Sequence, residues 1–180
     1  NTSNLVDAYK WSELDEATGL AFLTLYSGIT DRAEPSESLK ATTVFCLGLD
    51  DRKVLVSSLQ LKTFQSGGAV EQEALRRGVR GAYLVNSRIE LAPEASQRWQ
   101  IVANIEQSQA DVVELRRQLA NPTEIGEAIT RSIESGTQKL ARIMANGDGF
   151  QATAEENVSV HHYANVLFNI LRGGVFDDEY

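Results

Sequence analysis

Few residues in this chain have the type and spacing to do chemistry. Three acidic side chains, Asp31, Glu34 and Glu37, share a short stretch with Arg32 and Pro35. Two carboxylates held at a fixed separation can serve as an acid/base pair or hold a sugar hydroxyl. No separation can be derived from sequence, and a solvated inter-strand loop with Arg32 pairing to Glu34 or Glu37 is the plainer reading. Arg76, Arg77 and Arg80 form the only basic knot and stand beside Glu71 and Glu73. They read as an exposed loop or short helix rather than a phosphate clamp.

His161 and His162 are adjacent. Helical neighbours point about 100° apart, so the two cannot jointly face one metal as an i, i+4 pair would. Asn165 follows at the right spacing, yet no carboxylate or cysteine completes a ligand set. Asn146-Gly147-Asp148-Gly149 hints at a calcium loop, but Phe150, Gln151 and Ala152 stand where oxygen ligands belong. A helix stop is expected there instead. Gly67-Gly68 lacks the Lys-Ser/Thr of a phosphate loop. Cys46, the only cysteine, sits in the apolar run 44–47 and reads as a small buried hydrophobe. Neither a nucleophilic triad nor any cofactor signature can be assembled. The strand aromatics Tyr9, Trp11, Tyr26, Tyr83 and Trp99 can stack on a sugar face, but in a sandwich such rings are more often core or cross-strand partners.

The chain that must position these groups has 180 residues, 42% of them hydrophobic, and a formal net charge of −8. That is enough for one domain, or one domain with an appendage, and for a real core. The acidic balance argues against nucleic acid, which calls for a basic patch. With no apolar run near 18 residues and no leader pattern, neither a membrane span nor a signal peptide is expected. A single cysteine fits a reducing, cytoplasmic compartment. Asn1 and the apolar tail 172–176 suggest that both ends are cuts through a longer polypeptide.

Up to residue 106 the pattern is that of strands. Residues 5–14 and 20–26 form an expected hairpin across the five-residue loop 15–19, where Gly19 can supply a positive φ. Further strands are expected over 39–49, 53–61 and 82–91. The polar insertion 65–81 is expected to be a helical turn around 70–77 or a mobile flap. Residues 99–106 alternate most clearly, with Trp99, Ile101, Ala103 and Ile105 on one face, expected to be buried. After Gln107 the period becomes helical. Ser108 and Asp111 match a capping box, followed by Val112, Leu115 and Leu119 on one face. Asn121-Pro122-Thr123-Glu124 is a helix start. It opens a long helix with the stripe Ile125, Ile129, Ile133, Leu140 and Met144. A last helix is expected over about 159–171, stopped by Gly173-Gly174.

Several stretches carry a family resemblance. They are Asn4 through Leu14, Gly19-Leu20-Ala21, Asp31 through Leu39, Arg80-Gly81-Ala82-Tyr83, and Asn165 through Gly174. Together they resemble the region before the catalytic barrel in bacterial proteins of the cellobiose-phosphorylase type. There a β-supersandwich leads through linker helices into an α/α toroid. The resemblance implies a non-catalytic module of a glycoside phosphorylase or hydrolase, with the general acid and phosphate site downstream. It implies contact with the catalytic barrel of the same parent chain, and a homodimer. The helix at 165–174 would enter the toroid.

The expected fold is therefore an antiparallel β-sandwich over 1–106 followed by α-helices over 107–180, α+β overall. No catalytic, cofactor or metal residue is assigned. The residues nearest to a sugar-site rim or interface are Asp31, Arg32, Glu34, Arg76, Arg77 and Arg80, with 65–81 as the loop that approaches an oligosaccharide. The alternatives are a stand-alone carbohydrate-binding module that uses the strand aromatics, and a small enzyme built on Asp31 with Glu34 or Glu37.

Overall fold

The computed structural model describes residues 7–25, 40–146 and 154–173. It has the expected α+β architecture: a five-stranded antiparallel sheet, a second sheet of two strands, and helices toward the C-terminus. Two compact units are formed, 1–125 and 126–180.

In the first unit, β1 (Lys10–Asp15) and β2 (Leu20–Leu25) make the expected hairpin, with Asp15 opposite Leu20. The Asp15 carbonyl accepts the amides of Thr18 (3.2 Å) and Gly19 (2.8 Å), and Gly19 takes φ +73°. A side chain at Gly19 would be strained there. β3 (Ala41–Leu47) continues the sheet beside β2, and β7 (Gln100–Gln107) pairs with β3 at one edge.

The second sheet is narrower: β4 (Lys53–Ser57) against β6 (Gly81–Asn86). Both strands end earlier than the sequence pattern predicts. After β4 the Ser57 hydroxyl accepts the Leu59 amide (3.3 Å) and the chain turns into a short helix, α1 (Leu61–Gln65). The sheets face each other through Leu14 and Ala21 on one side and Val54 and Val56 on the other, with Tyr83 packed against them. The Tyr83 hydroxyl donates to the Gly19 carbonyl (3.1 Å), so the second sheet is tied to the hairpin turn. Burial pushes its pKa up to about 12.

The expectation for 65–81 is corrected. It is neither a helical turn nor a flap: β5 (Leu75–Arg77) joins β1 at the other edge of the large sheet, with Trp11 opposite Arg77. Amides at both ends of that contact are satisfied, Leu14 N–H by the Ala74 carbonyl (2.9 Å) and Gly78 N–H by the Lys10 carbonyl (3.0 Å). Val70 and Glu73 from the same segment are buried.

The expectation for β7 is corrected in a different way. Its alternation holds, but the face expected to be buried is exposed: Trp99 is 50% accessible, Ile101 54% and Ile105 72%. Pairing of Cys46 with Ile101 and Val44 with Ala103 puts this face on the side of the two-stranded sheet. Two strands do not reach across to cover a fifth. The opposite face is the covered one. There α2 (Gln109–Gln118) packs on β3 and β7, with Leu115 and Leu119 buried. The predicted capping box starts α2: the Ser108 hydroxyl accepts the Asp111 amide (3.3 Å) and the Asp111 carboxylate accepts the Ser108 amide (2.8 Å).

α3 (Pro122–Asn146) begins where Pro122 predicts, and the Asn121 carbonyl accepts the Ile125 amide (3.3 Å). Its apolar stripe is only partly buried. Ile125 and Met144 are buried, whereas Ile133 and Leu140 are exposed. The second unit also holds α4 (Glu156–Gly173). No helix of the described residues is long and apolar enough to cross a membrane.

Candidate functional site

The residues singled out by sequence do not converge. Asp31, Arg32, Glu34 and Glu37 lie outside the described residues. The three arginines have separate positions and separate neighbours. Arg76 Nη2 donates to Glu73 (3.1 Å). The Arg77 guanidinium lies 3.6 Å from the centre of the Trp11 ring, a cation–π contact between strand partners. Arg80 is exposed and lines a groove.

The most concentrated polar chemistry surrounds Glu73, which the sequence reading named only as a neighbour of the arginines. Its carboxylate is buried at the end of β4 and accepts hydrogen bonds from four residues. Val56 donates its amide (3.0 Å), Ser57 its hydroxyl (2.9 and 3.1 Å), Gln60 its side-chain amide (3.0 Å) and Arg76 its guanidinium. The Gln60 amide also clamps the backbone of Glu71, donating to its carbonyl and accepting from its N–H, each at 2.8 Å. Lys53 adds a bond to the Val70 carbonyl (2.8 Å). Burial pushes the Glu73 carboxyl up, but the bonds from Gln60, Ser57 and Arg76 outweigh it and hold the group below the ordinary glutamate range. A carboxylate so enclosed has no free oxygen to offer a substrate. It pins the segment that becomes β5. The sequence signal was faint: one Glu in a polar run, with donors 13 to 17 residues upstream.

Two surface grooves flank β1. The larger, about 810 Å³, opens at the mouth of the sandwich between the sheets. Lys10, Lys40 and Arg80 give it positive charge, opposed by Glu106. Lys10 is already paired with Asp7 (2.6 Å) and Lys40 reaches the Glu106 carbonyl (3.4 Å). Its wall depends on Gly81, where a Cβ would fall 2.7 Å from Ser12 Oγ and 2.8 Å from Leu23 Cδ2. The smaller groove, about 460 Å³, lies on the helix side of the sheet. Trp11 and Phe22 line it with Glu13, Gln107 and Gln109, and the Trp11 indole donates to Glu13 (3.2 Å).

The remaining candidates keep to plain structural positions. Tyr83 is a core partner. Tyr26 lies outside the described residues; Trp11 is on β1, whereas Trp99 stands just before β7 and is half exposed. Cys46 is buried, and burial raises its thiol pKa despite the nearby Arg52, which makes it a poor nucleophile. His162 lies 6.1 Å from the Tyr163 ring, and no group of metal-ligating side chains is assembled among the described residues. Residues 147–149 lie outside the described residues, and α3 ends at Asn146. No protein-family model matches this chain, and a search of curated proteins finds no match.

Proposed function

We propose that this chain is the non-catalytic sandwich and linker-helix module of a larger, cytoplasmic carbohydrate-active enzyme of the glycoside phosphorylase or hydrolase type. The observation that carries this reading is the exposed apolar surface of the helical unit. Val158 and Val160 on α4 are 55% and 59% accessible and lie about 200° apart around the helix axis. Ile133 on α3 is 59% accessible. A helix with apolar residues on several sides belongs inside a larger helical body, and a catalytic α/α barrel of the same parent chain supplies one. The role of the polar groups supports the same reading, since Glu73, Arg76 and Arg77 hold strands together. The carbohydrate class rests on the family resemblance.

The test is to express the whole reading frame with and without residues 1–125 and to measure oligoglucoside phosphorolysis and hydrolysis. Soluble, active enzyme is expected only with the sandwich present, and no turnover from the 180-residue chain alone. A frame with no downstream helical domain, or turnover by the chain alone, would overturn the proposal.

A second reading, a stand-alone carbohydrate-binding module, has the smaller groove in its favour. Aromatic rings beside a carboxylate and two amides match the two surfaces of a sugar. Calorimetric titration with oligoglucosides separates the two: heat abolished by Trp11→Ala supports the binding module, and no heat at millimolar ligand removes it.

A further inference from the structure

We infer that the β7 edge is a self-association surface, where two copies of this chain join their five-stranded sheets through antiparallel β7–β7 pairing. The proposal goes beyond the scaffold role and does not depend on the parent's chemistry. β7 is the longest strand, eight residues, and β3 is its only strand neighbour among the described residues. Exposed edges usually carry a proline, a lysine or a central bulge that blocks further pairing. From Gln100 to Ile105 β7 has none of these. Its single charge, Glu106, comes at the end, where φ turns to +55° and the pairing with β3 shifts register.

The occupant follows from the sequence of the strand. A two-fold axis perpendicular to the sheet must keep matching faces together, so odd-numbered residues meet odd-numbered ones. With the axis at Ala103, Ile101 stands opposite Ile105 of the second copy, twice. Val102 stands opposite Asn104, and Gln100 meets Glu106 at the strand ends. Both isoleucine pairs fall on the face that the two-stranded sheet leaves bare, and no like charges meet. Shifting the axis one step along the same face sets Ile105 against Ala103 and Ile101 against Gln107, or Ile101 against Ala103 and Ile105 against Trp99, which stands outside the strand. The centred register is the one that covers each isoleucine with another.

Sedimentation velocity on the 180-residue chain over a concentration series provides the test. A concentration-dependent dimer is expected, with its dissociation constant raised at least tenfold by Ile101→Lys or Ile105→Lys. Val113→Lys, on an equally exposed part of α2, is expected to leave it unchanged. All three positions are exposed, so folding is retained, with the far-ultraviolet circular dichroism of each variant as the check. Register is read separately. Directly opposed Cβ atoms lie about 4.5–5.5 Å apart, so Ala103→Cys treated with copper–phenanthroline should give a covalent dimer and Asn104→Cys should not. A chain that stays monomeric throughout overturns the proposal and leaves the edge to a strand from another part of a longer polypeptide. A dimer insensitive to both lysine substitutions, without the Ala103→Cys cross-link, overturns it as well. Glycoside turnover enters neither readout, so failure here is distinct from failure of the scaffold reading.

Discussion

At one edge of the large sheet lies β5, three residues long; at the other lies β7, eight residues long, with two isoleucines facing water. The β5 edge is crowded with charge. Arg77 covers the Trp11 ring, Arg76 donates to the buried Glu73, and Gly78 ends the pairing with β1 in a left-handed conformation, φ +70°. β7 has a single charge, placed at its end. Both are edge strands of one sheet, yet among the described residues only β5 has its edge lined with charge. A short strand made largely of arginines needs no further partner, whereas a long apolar one is stable alone only at the cost of exposing its stripe.

Substitutions on the two sides should separate them cleanly. Glu73→Ala should be the most damaging, about 3 kcal/mol by urea denaturation, because it leaves the buried Val56 amide and Ser57 hydroxyl without their acceptor and takes one from the half-buried Gln60 and Arg76. A loss below about 1 kcal/mol would mean that the β5 side is not held by this carboxylate. Gly81→Ala should cost about 1–3 kcal/mol through the contact with Ser12 and Leu23 at the base of β6.

Arg77→Ala should cost about 0.5–1 kcal/mol, the range of an exposed cation–π contact. It should also speed hydrogen exchange of amides in β5 but not in β7. At the open edge, Ile105→Lys should change the stability of the monomer, measured at high dilution, by no more than about 0.5 kcal/mol, since the side chain is already in water.

Acid sharpens the same contrast. The folded-state pKa of Glu73 is depressed, so its stabilisation is complete above the ordinary glutamate range and is lost as pH falls through the folded value. Wild type and Glu73→Ala should therefore differ most near neutral pH and converge in strong acid. Denaturation midpoints at pH 7 and pH 3 check this; a constant difference would show that the carboxylate's charge is not what matters.

Much of the architecture was legible from local chemistry. Asp15 through Gly19 specified a turn because a polar run ends in a Gly that can take positive φ. Ser108 with Asp111, and Asn121 with Pro122, specified helix starts because caps satisfy amides a few residues away. The alternation of β7 was legible for the same reason: pleat is a property of neighbouring residues. The candidate site was far less so. Arg76, Arg77 and Arg80 look like one cluster in sequence, yet they point to a carboxylate, an indole and a groove.

What this sequence determined by itself was the change from strands to helices near residue 107, the turns, and the caps, all of which rest on contacts within a few residues. Which face of β7 is buried was decided only by tertiary structure. That depends on how many strands the opposing sheet has, and Ile101 carries no record of where β4 and β6 stop. The role of Glu73 was likewise settled by distant partners, since a carboxylate is an exposed charge or a buried anchor according to the donors that folding brings to it.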